Sequence, residues 1–189
     1  MYPEFERSPD GPVNRLVNIH QAIIIMGVSG CGKSTAGKSL ARNLGCQFIE
    51  GDELHPISNV EKMKRGVPLC DADRWPWLDL IASTINDGLQ LANKVVASCS
   101  ALKRSYRERL RAHISVPVTF VFMDVKEEAL FQRIARRNHE FMPSLLLDSQ
   151  LRTLERPQDE ADVMILSGIE PAEEIFRLVV SHLSGQSYT

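Results

Sequence analysis

Along the chain, short apolar runs alternate with longer amphipathic stretches. The first run, Ala22-Ile23-Ile24-Ile25-Met26, is apolar at every position, the pattern of a strand buried on both faces. A glycine-rich turn over residues 27–35 leads from it into a helical pattern at 36–42. A second strand is expected at 46–50, ending in Gly51-Asp52-Glu53-Leu54-His55-Pro56. The polar stretch 59–64 reads as helical, and Gly66-Val67-Pro68-Leu69 breaks it. Asp71-Ala72-Asp73-Arg74-Trp75-Pro76-Trp77 reads as a stiff segment ahead of a helix at about 78–92. The third strand is 94–99, with Ser100 placed as N-cap of a basic helix at 103–111. A continuous apolar run at 118–123 is the fourth, followed by a helix at 126–137, a cover segment at 138–149 and a short helical piece at 150–154. The last strand is expected at 162–166 and a closing amphipathic helix at 172–183.

Strands alternating with helices predict a three-layer α/β fold: a five-stranded, mainly parallel sheet with helices on both faces. The expected organisation is a loose N-terminal extension over 1–20, then a single domain over 21–185 with a mobile lid at about 137–150. No internal repeat breaks the pattern. A chain of 189 residues suits one domain with a full core. Its composition is ordinary, 43% apolar and 24% charged with a net charge of −2, so nucleic acid is not an expected partner. No apolar run is long enough to span a bilayer, so no membrane partner is expected either. The first eighteen residues carry Glu4, Glu6, Arg7, Asp10 and Arg15, unlike a secretory signal. Cys31, Cys46, Cys70 and Cys99 show no metal-ligand spacing and suggest reduced thiols in the cytosol.

The turn carries the most specific chemistry. Gly27, Val28, Ser29, Gly30, Cys31, Gly32, Lys33, Ser34 and Thr35 fit G-x-x-x-x-G-K-[ST] between a strand and a helix, a phosphate-binding loop of the P-loop NTPase fold. Glycines let successive N–H groups point inward at phosphate oxygens, and the helix start adds its positive dipole end. Lys33 can reach the β- and γ-phosphates and the Ser34 hydroxyl can ligate Mg²⁺, so ATP and Mg²⁺ are the expected cofactors. A GTPase is disfavoured because Asn93-Lys94-Val95-Val96 lacks the acidic residue of N-K-x-D. Asp124 at the end of the fourth strand is followed by Val125, not by the Glu of many motor ATPases. A small-molecule kinase fits better.

On the acceptor side, Glu50 and Asp52 follow the second strand, and period-two spacing puts them on one side. Asp52 is the candidate for orienting an acceptor hydroxyl; the alternative is an N-cap of the following turn. Glu50 can hold a Mg²⁺-bound water or be an exposed strand-end carboxylate. Arg74 can aim a guanidinium at an anionic substrate, or pair at the surface with Asp71 or Asp73. Lys103 and Arg107 share a helix face near the expected site and can bind an anion or be merely solvated. Arg133, Arg136 and Arg137 sit at the boundary with the cover, where cations can stabilise charge on a transferring phosphoryl group. His139 is open between nucleotide contact and surface residue.

Beyond the loop, several runs resemble one family: Gly51-Asp52-Glu53-Leu54-His55-Pro56, Asn59 with Glu61-Lys62-Met63, Gly66-Val67-Pro68-Leu69, the Asp71-x-Asp73-Arg74-x-Pro76-Trp77 run, Cys99-Ser100-Ala101-Leu102-Lys103-Arg104 with Tyr106-Arg107 and Leu110-Arg111, and Ser149-Gln150 with Thr153-Leu154-Glu155. Together they resemble the gluconokinases, relatives of shikimate kinase, over roughly residues 23–183. The resemblance implies ATP- and Mg²⁺-dependent phosphorylation of the 6-hydroxyl of D-gluconate by a cytoplasmic enzyme, often a homodimer. It implies Lys33, Asp52 and Arg133 as catalytic, the loop and Arg136 on the nucleotide, and Ser34 and Glu50 on the metal. It also implies Asp52, His55, Arg74, Lys103, Arg107 and Gln150 on the substrate. Two departures stand out: Glu50-Gly51-Asp52 where the family usually has Asp-Gly-Asp, and one extra residue around His139-Glu140-Phe141-Met142. The rival readings are a kinase of another small acid or nucleotide on the same fold, and a nucleotide-binding regulator without catalysis.

Overall fold

The computed structural model describes residues 20–136 and 144–185. Its centre is one five-stranded sheet in the order β2-β3-β1-β4-β5, with every neighbouring pair parallel. The strands are β1 (Gln21–Met26), β2 (Gln47–Glu50), β3 (Lys94–Cys99), β4 (Val118–Asp124) and β5 (Val163–Ser167). The helices are α1 (Lys33–Leu44), α2 (Ile57–Lys64), α3 (Asp71–Leu91), α4 (Arg104–His113), α5 (Glu127–Arg136), α6 (Ser144–Thr153) and α7 (Ala172–Leu183). A single 3₁₀ turn, Gly51–Leu54, follows β2.

Alternate residues of the central strands feed two separate cores. Ala22, Ile24 and Met26 of β1 with Phe120 and Phe122 of β4 pack against Trp77, Leu78 and Ile81 of α3 and Tyr106 and Leu110 of α4. Ile23, Ile25, Val121 and Met123 face the other way, onto Ala36 and Leu40 of α1, Leu130 of α5, Leu147 of α6 and Val179 of α7. Both faces are therefore covered, which is why these strands read as unbroken apolar runs. From β1 the chain runs to β2 and back to β3 on one side, then crosses from β3 to β4 and β5 on the other. That reversal opens a crevice at the carboxyl ends of β1 and β3, the usual place for a ligand in such sheets.

Several boundaries differ from the sequence expectation. The segment 71–77 is the first two turns of α3. The Cys70 N–H donates to Asp73 Oδ2 at 2.7 Å, and the burial of Trp77 and Leu78 outweighs the hydrogen bond that Pro76 cannot make. Ser100 is not an N-cap: Ala101 adopts φ +42°, and α4 starts at Arg104 with Lys103 capping it. The second half of the expected cover is helical from Ser144, because Leu146 and Leu147 are buried, Leu147 against the α1 side of the sheet. Its first part, residues 137–143, and the expected extension at 1–19 lie outside the described residues. No described helix is long and apolar enough to cross a membrane.

Candidate active site

The loop between β1 and α1 is shaped by its glycines. Gly32 caps α1 at φ +104° with nothing within 4 Å of an added Cβ, so the backbone angle alone demands glycine there. The loop is tied to β3 by the Gly27 N–H, which donates to Ser100 O at 3.3 Å. Lys33 is buried and folds back, its Nζ donating to Val28 O at 3.1 Å. Ser34, in the first turn of α1, has no side-chain hydrogen-bond partner among the described residues. The Ser29 N–H donates to Gln150 Oε1 at 2.6 Å, so α6 is fastened directly to the loop. On the opposite flank the Arg133 guanidinium donates to Gly168 O at 3.0 Å and to Gly30 O and Cys31 O at 3.4 Å. Arg133 lines a cavity of about 390 Å³ there with Gly30, Gly32, Thr35, Gly168 and Glu170. The Arg136 side chain, Arg137 and His139 lie outside the described residues.

A larger cavity of about 720 Å³ opens on the α2–α3 side of the loop, and Lys33, Asp52, His55, Arg74, Trp77 and Gln150 line it. Lys33, Asp52, His55, Arg74 and Gln150, sequence-predicted residues from four segments, thus meet Trp77 around one space. Asp52 sits in the 3₁₀ turn, so β2 ends before it and the period-two argument does not reach it. Its carboxylate has no hydrogen bond or ion pair among the described residues and no cap role. Glu50 is directed elsewhere: its carboxylate accepts from Ser98 Oγ on β3, and it does not line the cavity.

His55 stacks on Trp77 with ring centroids 4.1 Å apart and planes 14° from parallel. Burial pushes its pKa down to about 4, with Asp52 opposing the shift and Arg74 reinforcing it, so the ring is neutral at physiological pH. The Asn59 amide, 3.4 Å from His55 Nδ1, also donates to Asp73 O at 2.9 Å.

Arg74 is 7% exposed, yet its one described partner is neutral, the Tyr106 hydroxyl at 3.1 Å. The carboxylates that could have neutralised it are taken. Asp71 is held by Lys103 Nζ at 2.8 and 2.9 Å and by the Tyr106 hydroxyl, which together keep its pKa below the usual range. Asp73 pairs with Lys62 at 2.5 Å. A buried guanidinium without a carboxylate, facing a cavity, is able to receive an anion there.

Two expected substrate residues are not brought to the cavity. Lys103 is spent on Asp71. Arg107 is 1% exposed, grips Glu160 with Nη2 at 2.5 Å and Nε at 3.0 Å, and donates Nη1 to Ala101 O and Leu102 O at 2.9 and 3.1 Å. It is a structural tie between α4, the bend before it and the segment leading into β5. Sequence reading missed three supports of the site. Ser98 and Tyr106 look like an ordinary strand serine and core aromatic, and their role shows only through partners 32 or more residues away. Trp77 was legible only as a stiff aromatic beside Pro76.

Residues 23–157 match the family model described as AAA domain. The chain is 44% identical over 164 residues to a gluconokinase of Gluconobacter oxydans, covering 87% of this chain and 92% of that one. It is 42% identical over 145 residues to the thermosensitive gluconokinase of Escherichia coli, covering 76% and 77%. Among solved structures, a gluconokinase from Sinorhizobium meliloti superposes with a TM-score of 0.78 at 43% identity, covering 89% of this chain and 95% of that one.

Proposed function

The chain belongs to the gluconokinase family, and from that premise we propose that it transfers the γ-phosphoryl group of ATP to the 6-hydroxyl of D-gluconate, giving 6-phospho-D-gluconate and ADP. The observation that carries the reading beyond family membership is Arg74, a buried cation with no carboxylate partner among the described residues, facing the cavity that Asp52 and the phosphate loop also face. A sugar acid supplies the missing anion.

The geometry supports the following division of labour. Loop N–H groups and Lys33 hold the triphosphate, and Lys33 has only a weakly held carbonyl to leave. Arg133 stands against the loop backbone, where a cation offsets charge on the transferring group. Asp52 accepts the acceptor hydroxyl's hydrogen bond and aims its oxygen at the γ-phosphorus. Neutral His55, with Gln150 on the loop side, supplies uncharged hydrogen-bonding groups for the polyol chain.

No group of three metal-ligating side chains occurs among the described residues, which suits an ion carried mainly by phosphate oxygens and water. The free Ser34 hydroxyl fits as its one direct protein ligand, and Glu50 would reach it only through water. Bound Mg²⁺ would neutralise charge on the β- and γ-phosphates. Homodimeric assembly and a cytoplasmic setting belong to the same reading and rest on the family resemblance.

The test is ADP release with MgATP and gluconate, shikimate or AMP offered in turn. Turnover on gluconate alone is expected. Turnover on AMP or shikimate but not gluconate would replace the acceptor, and no turnover on any would favour a regulator.

A further inference from the structure

Asp52 presents an unusual problem of aim. Its carboxylate makes no bond among the described residues, so the side chain cannot hold itself in position. Orientation must come from the backbone just before it, and there the peptide groups of Gly51 are gripped from two sides. The Gly51 N–H donates to Ser98 Oγ at 3.1 Å, and the Gly51 carbonyl accepts from Trp77 Nε1 at 2.8 Å. Ser98 and Trp77 are each 1% exposed. The fit is close: a Cβ on Gly51 would stand 2.1 Å from Ser98 O. Ser98 has a second task, because its hydroxyl proton goes to the Glu50 carboxylate. One buried hydroxyl therefore accepts from one residue of the Glu50-Gly51-Asp52 corner and donates to another. Glu50 and Ser98 are also register partners on the paired strands β2 and β3.

We infer that Ser98 is a positioning residue for the acceptor carboxylate: with Trp77 it clamps Gly51 and so fixes the direction in which Asp52 enters the cavity. The role given to Asp52 rests on the phosphotransferase reading above; the clamp itself rests on the bonds at Gly51. Preorganising a carboxylate lowers the barrier of the transfer step without changing how the nucleotide is held. The clamp also gives the longer Glu50 side chain a fixed partner across the sheet.

The test is a double-mutant cycle read in kcat. Asp52→Asn alone is expected to lose at least about a hundredfold, as for other positioned acid–base groups. Ser98→Ala is expected to lower kcat about tenfold, one hydrogen bond's worth of misaim, with KM for ATP within about twofold of wild type. In the Asp52→Asn background Ser98→Ala should have less than about a twofold further effect, because the group it aims is already gone. Trp77→Phe removes the other grip while keeping an aromatic against His55, and should behave the same way, which covers the case of a poorly folded Ser98 variant. Amide exchange in intact protein gives a second readout: the Gly51 N–H should exchange faster in Ser98→Ala. Losses that simply add in the double variants, or wild-type kcat in both single variants, would overturn the clamp. The cycle is run on whichever acceptor the wild type phosphorylates, so a wrong acceptor sinks the gluconate reading and not this one.

Discussion

Replacing Arg74 by Met tests the acceptor site most directly. Arg74 is 7% exposed, so most of its desolvation is met in folding and not repeated when a substrate binds. A charge-assisted hydrogen bond to a carboxylate contributes about 1.5–3 kcal/mol. At about 1.4 kcal/mol per tenfold, that is roughly a 10- to 150-fold loss of affinity on removing it. Met keeps much of the stem's volume, and Tyr106 keeps its bond to Asp71, so the surrounding packing has little reason to move. The assay is coupled ADP release, varying gluconate at saturating MgATP and then MgATP at saturating gluconate. KM for gluconate should rise by the factor above while KM for ATP stays within about twofold. D-Glucitol, which replaces the carboxylate by a hydroxymethyl group and keeps the far hydroxyl, sharpens the comparison. Wild type should prefer gluconate over glucitol in kcat/KM by about the same 10- to 150-fold, and Arg74→Met should erase that preference. If the variant still prefers gluconate as strongly, or loses as much on ATP, Arg74 does not read the carboxylate.

Two further outcomes follow from the charge arrangement. His55 has a folded pKa of about 4 against an ordinary 6.5, so between those values the unfolded chain binds the extra proton. Stability is therefore fully present above about pH 6.5 and falls as pH drops toward 4, by up to about 1.4 kcal/mol per pH unit from this group. Urea unfolding of wild type and His55→Gln at pH 7 and pH 5 should show the steeper loss in wild type, and equal losses would mean that His55 is not held neutral. Arg107→Ala should destabilise by about 2–3 kcal/mol, less than the loss of an isolated buried pair because Arg111 still holds Glu160 at 2.6 Å, lowering Tm by roughly 5–10 °C. KM for gluconate in the folded enzyme should change less than about twofold; a large rise would return Arg107 to the acceptor site.

What could be read in advance follows the range of the forces involved. The phosphate loop was legible because its constraint is local: positive-φ glycines, an apolar strand before it and a helix start after it all lie within fifteen residues. The third strand and the closing helix appear at the expected residues, since burial on two faces or on one stripe writes itself directly into the sequence. Lys103 and Arg107 were not separable from Arg74, because what distinguishes them is non-local. Their neutralising partners, Asp71 and Glu160, lie 32 and 53 residues away. The start of α3 was hidden for a related reason. Pro76 disfavours a helix locally, and only the packing of Trp77 and Leu78 against the sheet explains why one forms through it.

The same helix also explains how an unpaired cation and an unpaired carboxylate can share one cavity without closing on each other. Arg74 and Trp77 are three apart on α3 and so lie on one face. Trp77 Nε1 holds the carbonyl of Gly51, the residue before Asp52, while Arg74 is held by Tyr106. A single turn of α3 thus carries the cation and anchors the backbone of the anion, and no ion pair forms between them. Were they to meet, each would neutralise the other and the cavity would present nothing to a charged acceptor. Held apart, they ask for a ligand with an anion at one end and a hydroxyl at the other. Neutral His55 beside them adds no positive charge to those of Arg74 and Lys33 at the cavity wall. On the proposed reading, this separation, more than any one residue, fits the phosphate loop and its neighbouring cavity to a sugar acid.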